Sequence, residues 1–269
     1  MPQHPPPPPA PAPPTAENVF SLADGIPQRE QQILAAVAAG EVEHHWHPLT
    51  WTANGRVVRA LVSREPLALR RGDHRLYVST TFPTAQAIGD MIGGSMLTTK
   101  ISDEIQRQAP VKVAPHVRNW SADGTMARTD RMIQQSAALA AAVAGRDELK
   151  SNLGKDWILT RRNWPAPAGT GEDLPAGQKG SRRNGANFGW YLPNAPSRSP
   201  GGERVIQSIG LAHDFGHTDY SQLLRYVKRD SITVDGQPVG YATALADPVL
   251  SPLLQDEGGI LPSDRHPDL

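Results

Sequence analysis

The stretch HPLTWTANGRVVRALVS, residues 47–63, decides how the chain is to be read. Apolar and polar residues alternate on both sides of Asn54-Gly55, which is the period of a half-buried strand and not of a helix. Asn-Gly readily takes the two left-handed conformations of a type I′ turn, so the segment predicts a β-hairpin. Two further segments repeat the device. LALRRGDHRLYVST, residues 67–80, places strands on either side of Gly72-Asp73, and SITVDGQPV, residues 231–239, turns at Asp235-Gly236. The Arg71-Gly72-Asp73 triplet is accounted for by its turn and needs no adhesive role.

Outward from these hairpins the period lengthens. PQREQQILAAVAAG, residues 27–40, has proline in the first turn and Gly40 at the stop, and predicts a helix. TAQAIGDMIGG (84–94) and TTKISDEIQRQ (98–108) predict two short helices, and VKVAPHV (111–117) an extended piece. TDRMIQQSAALAAAVAG (129–145) is the longest helical pattern, with Thr129 or Asp130 as its cap and Gly145 as its end. WILTRR, NFGWYLP and ERVIQSIGLAH read as strands, whereas YSQLLRYVKR (220–229) and YATALADPVLSPLLQDEGG (241–259) read as helices. Strands arrive in hairpins and not in strand–helix alternation. The expected class is therefore α+β: a mainly antiparallel sheet built from hairpins, with flanking helices, in one domain over residues 27–269.

Nine of the 26 prolines fall in the first fifteen residues, where the missing N–H rules out helix and interior strand. A proline-rich tail or polyproline II tether is expected over residues 1–26. Residues 164–186, rich in Gly, Pro and charge, read as a long loop.

Composition narrows the function. There is no cysteine, which excludes disulfides, thiolate nucleophiles and sulfur-ligated metals. Lys plus Arg equals Asp plus Glu, 27 each, so no global field favours nucleic acid. No apolar run is long enough to span a bilayer, and MPQHPPPPPAPAPP has neither the basic start nor the apolar stretch of a signal peptide. A soluble chain without nucleic-acid partner or membrane insertion is expected; the composition fixes no compartment. Neither standard glycine-rich phosphate loop is present, so nucleotide dependence is not expected.

The densest chemistry lies in HDFGHTDYS, residues 213–221. With a strand ending at His213 and a helix starting near Asp219, three readings compete. In the first, Ser221 at the helix N-terminus is a nucleophile, His213 its base and Asp219 the orienting acid, with Lys155 and Tyr220 assisting; this is a hydrolase acting on an amide or ester bond. It needs no cofactor. In the second, His213, His217 and Asp219 ligate zinc, donors of the right kind at spacings i, i+4 and i+6, in a metal-dependent hydrolase. In the third, Asp219-x-x-Gln222 is a variant capping box at a strand–helix junction, and the protein is a non-enzymatic binding or structural module. The HHWH run, residues 44–47, supplies more imidazoles but reads as a strand entry.

The motif H-D-x-x-H-x-D-Y-S-Q at 213–222 resembles one carried by a family of uncharacterised bacterial proteins. The resemblance extends to the VDGQP turn, to NFGWY, to GKDWIL and to the block from Arg75 to Ile105, spanning roughly residues 28–268. It implies one coherent domain in which these segments converge, and no reaction. Carried over, its positions are Lys155, Trp190, His213, Asp219, Tyr220 and Ser221. Lys155 precedes a strand, where turning inward would let it hold an anionic group. Trp190 is a core or binding platform residue, and His217 a second binding candidate. A cysteine-free domain on a proline-rich tether is an architecture found among wall-acting enzymes, which suggests a peptidoglycan peptide as substrate by analogy alone.

Overall fold

The computed structural model describes residues 18–164 and 184–269. The proline run and most of the Gly/Pro loop lie outside the described residues.

The Asn54-Gly55 turn joins β2 (Trp46–Ala53) to β3 (Arg56–Ser63), with Ala53 opposite Arg56. Both turn residues have positive φ, 49° and 75°, the pair whose twist matches that of the strands it joins. Asp235 and Gly236 repeat this, at 52° and 82°, between β15 (Thr233–Val234) and β16 (Gln237–Pro238). Along β2 Leu49, Trp51 and Ala53 are buried while Thr50 and Thr52 face out, as strand period requires. β14 (Tyr226–Lys228) and β15 share the second edge of β3, pairing at Val62 and at Val58–Arg59. With β6 (Gly94–Met96) beyond β14, they complete a six-stranded antiparallel sheet that curls around the main core.

A three-stranded antiparallel sheet, β1 (Val42–Glu43), β4 (Ala68–Arg71) and β5 (His74–Tyr77), contains the Gly72-Asp73 hairpin. β7 (Val111–Lys112) pairs in parallel with β8 (Lys150–Ser151). The sheet that carries the site has the order β11 (Ser197–Arg198), β12 (Arg204–Asp214), β10 (Asn184–Tyr191), β9 (Lys155–Ile158), β13 (Gln222–Leu223). Its pairings are antiparallel except that of β13 with β9.

Among the described residues six α-helices flank the sheets: α1 (Ile26–Ala38), α2 (Phe82–Met91), α3 (Thr99–Gln108), α4 (Thr129–Ala142), α5 (Tyr241–Ala246) and α6 (Ser251–Leu254). The fold is α+β with mainly antiparallel sheets. Among the described residues no helix is long and apolar enough to cross a membrane.

Three expectations are corrected. Residues 220–229 are not a helix but β13, a connection and β14. Every residue from Thr218 to Val227 is buried, so a helix here would have no solvent face. Leu223 enters the cluster around Tyr77, Val111 and Leu139, while Leu224 enters the main core, the opposite-face alternation of extended chain. The cap of α4 is neither Thr129 nor Asp130: Arg128 holds the cap position without a side-chain capping bond, and the Thr129 hydroxyl donates to the Ala23 carbonyl instead. Finally, Phe20 and Leu22, within the stretch assigned to the tail, pack in the main core.

Candidate functional site

The face that His213 occupies is set by a bulge. On the β9–β10–β12 surface, Ile158, Ala186, Phe188, Ile209 and Leu211 form a small apolar cluster on one side. Trp157, Asn187 and Gly210 are register partners on the other. Simple alternation from Leu211 would return His213 to the apolar side. Between the pairs Asn187–Gly210 and Gly185–His213 the register slips by one residue, and the extra residue on β12 turns His213 to the side of Trp157. The His213 and Trp157 rings meet edge to face, 6.5 Å between centroids.

After β12 the chain reverses through Asp214, whose carboxylate accepts the Gly216 N–H at 2.9 Å and whose carbonyl accepts the His217 N–H at 3.1 Å. This Asx-type turn lays the His217 ring on that of His213, with centroids 3.8 Å apart and planes within 10°. Asp219 follows, 1% exposed. Its Oδ1 accepts both the Ser221 N–H, at 2.7 Å, and the Ser221 hydroxyl. Its Oδ2 has no hydrogen-bond partner and lies 3.5 Å from His217 Nε2 and 3.5 Å from Lys155 Nζ. Those separations exceed the 2.7–2.9 Å of a charge-assisted hydrogen bond. A ring nitrogen of His213, one of His217 and a carboxylate oxygen of Asp219 all lie within 4.8 Å of one another. A cleft of about 440 Å³ is lined by His213, His217 and Thr218 together with Ile26 and Ala127.

Burial alone would push the Asp219 carboxyl up, but His217, Lys155 and Ser221 outweigh it and hold the group well below the usual carboxylate range. Burial, with His217 and Lys155 beside it, pushes the His213 imidazole down to about 4. At neutral pH the pair is thus an ionised carboxylate and an uncharged imidazole with a lone pair to give.

The other sequence-derived positions take clear places. Lys155 turns inward: its N–H donates to the Ser221 carbonyl at 2.7 Å, and its Nζ lies 5.3 Å from the centre of the Trp190 ring. The close approach of β9 and β13 requires Gly154, since a Cβ there would sit 2.6 Å from the Ser221 carbonyl oxygen. Ser221 is 1% exposed and directs its hydroxyl to Asp219, not to an imidazole. The Tyr220 hydroxyl bonds elsewhere than to the carboxylate: it accepts from Arg118 N and donates to Arg118 O, and its ring packs on Trp120. The Asp219-x-x-Gln222 pattern is half realised, for Gln222 Oε1 accepts the Asp219 N–H at 2.8 Å, but no helix follows. His44 of the HHWH run bonds Ser63 in the core.

One residue was missed. Asn187, at the centre of β10, is fully buried with neither amide atom partnered. Its signal in the sequence is weak: Asn187 is the first residue of NFGWYLP, the stretch read as a strand, and a polar residue at the start of a strand is unremarkable. The donor set of two imidazoles and a carboxylate is one that zinc accepts with positions left for water or substrate. The comparisons place no known protein beside it: no family model, no curated protein and no solved structure matches the chain.

Proposed function

We propose that the chain is a metal-dependent hydrolase of an amide or ester bond, with His213, His217 and Asp219 holding a zinc ion at the base of the cleft. The observation that carries this reading is the orphaned pair, His217 Nε2 and Asp219 Oδ2, both buried, both unpartnered, and 3.5 Å apart. Two donors on a tetrahedral ion with arms of 2.0–2.1 Å are separated by about 3.4 Å, so the spacing suits a shared cation better than a direct bond. Zinc bound by three protein ligands activates a water at neutral pH and polarises a carbonyl. The chain's own residues do the rest. Ser221 clamps Oδ1 of Asp219 through two donors and so leaves Oδ2 free beside His217, the supporting role an outer ligand plays in metal sites. Lys155 balances the buried carboxylate. Tyr220 anchors the segment around Arg118 on the far side of the turn.

The test is metal content and zinc titration of the purified protein, followed by ester hydrolysis with and without chelator. One zinc per chain is expected, with affinity reduced at least about 100-fold in Asp219→Ala and His213→Ala. Equal zinc binding by wild type and Asp219→Ala would end this reading. Peptidoglycan peptide is the first natural substrate to try, on architectural grounds only.

A further inference from the structure

Beside the three proposed ligands lies a group of hydrogen-bond donors with nothing to donate to. Trp190 Nε1, Gln222 Nε2 and Asn187 Nδ2 are buried and unpartnered, and Lys155 Nζ reaches Asp219 Oδ2 only at 3.5 Å. They are neighbours. Gln222 and Lys155 are register partners in the parallel β13–β9 pair. Asn187 pairs with Trp157, two residues along β9 on the same face, which makes it the diagonal neighbour of Lys155. Trp190 comes to the same place by a distortion. Alternation from Phe188 would send its ring to the apolar side, but φ of 60° at Trp190, after 138° at Gly189, carries the ring over the Lys155 ammonium. Such a backbone state is unusual for a bulky residue and tends to be kept where a site needs it. Glycine at 210 is part of the arrangement, since a Cβ there would sit 2.5 Å from Asn187 Oδ1.

Buried polar atoms in folded proteins are nearly always satisfied, so a cluster of orphans asks for a missing partner. Here the partner is defined by what the cluster lacks. Three neutral donors and one ammonium sit at adjoining positions of β9, β10 and β13, with two unpartnered acceptors among them, Asn187 Oδ1 and Asp219 Oδ2, the second of which the proposed metal takes. An excess of donors around a fixed positive charge suits a planar anion with two acceptor oxygens. We infer that this buried face is a subsite for a carboxylate of the substrate, held by Lys155, Asn187, Trp190 and Gln222 next to the metal ligands. The inference rests on the metal-hydrolase reading for which bond is cut: the substrate class becomes a peptide-like chain with a free carboxylate beside the scissile bond. Binding of the carboxylate itself rests on the donors alone.

The experiment titrates the full-length protein, zinc-loaded and chelator-treated, with N-acetylalanine and with N-acetylalaninamide, which differ only in the terminal carboxylate. The carboxylate probe is expected to bind at least tenfold more tightly than the amide in both forms. Asn187→Leu, which replaces the orphaned amide by a side chain of similar size, is expected to reduce that preference at least tenfold without lowering the melting temperature. Trp190→Phe, which keeps a ring and deletes one donor, is expected to reduce it at least threefold and covers the case in which Asn187→Leu does not fold. A preference that vanishes when zinc is removed would show the carboxylate on the metal and overturn the inference, as would equal binding of both probes or an undiminished preference in the variants. Failure of zinc to bind would defeat the metal reading only, because the chelator-treated arm still decides this one.

Discussion

Ser221 shows how much one hydroxyl can decide. In the nucleophile reading its proton goes to His213; in the structure it goes to Oδ1 of Asp219, alongside the Ser221 N–H. Ser221→Ala is therefore expected to keep hydrolytic activity at saturating zinc while weakening zinc binding by about 10- to 100-fold, as loss of an outer-shell bond does. Abolished turnover with unchanged zinc affinity would restore the serine mechanism. Lys155 provides a complementary case. It supplies the positive charge beside a carboxylate that is otherwise buried, and removing one partner of a buried pair leaves an uncompensated charge. Chelator-treated Lys155→Met is expected to melt below wild type, with zinc restoring much of the loss, since the metal takes over the neutralisation. A calorimetric melt of both proteins with and without zinc checks this.

At the scale of elements, the site depends on how β10 and β12 are registered. Gly185, opposite His213, has no room for a side chain: a Cβ would meet Phe82 at 2.6 Å, and Phe82 stacks on Phe215 and edges Trp157. Gly185→Ala is expected to cost about 1–3 kcal/mol by overpacking and to weaken zinc binding by displacing the strand that faces His213; thermal melts and zinc titration measure the two. The hairpins around Asn54-Gly55, Gly72-Asp73 and Asp235-Gly236 were legible because a two-residue turn is a local event, settled by which residues tolerate positive φ. Residues 220–229 were not. Leu223, Leu224, Tyr226 and Val227 fall at i, i+1, i+3 and i+4, a helical spacing, and only the two separate cores that this segment passes between make it extended. The same limit applies to the site. His213, His217 and Asp219 lie within seven residues, so their grouping could be read directly. Asn187 and Trp190 join them through a bulge and a left-handed residue on a distant strand, and no local pattern encodes either.

The whole molecule joins its sheets through buried charge, and this predicts how it responds to acid. Glu65, just after β3, accepts from Tyr77 and pairs with Arg75 of β5 and with Lys150 of β8. Burial would raise its carboxyl, but the Tyr77 bond and the two cations bring it down to about 2. Its contribution is full above the ordinary value of 4.5 and is lost as pH falls toward 2. His44 titrates higher. Burial, then the neighbouring His45, depresses its imidazole from 6.5 to about 4, so the fold holds it neutral. The unfolded chain binds that proton first, and stability falls as pH drops from 6.5 to 4. Asp103, on α3, works the other way: burial outweighs its bonds from Ser199 and Tyr191 and raises it to about 6, so lowering the pH through 6 relieves a cost. Between pH 6.5 and 4 the opposing trends partly offset, and a wild-type curve alone would not separate them. Replacing His44 does. In chelator-treated protein, the urea stability of His44→Gln minus that of wild type is expected to grow in favour of the variant by at most about 3 kcal/mol as pH falls from 7 to 4. Below pH 4 the two are expected to decline in parallel as Glu65 protonates. A difference that stays flat across the first interval would mean that the His44 imidazole is not held neutral by the fold.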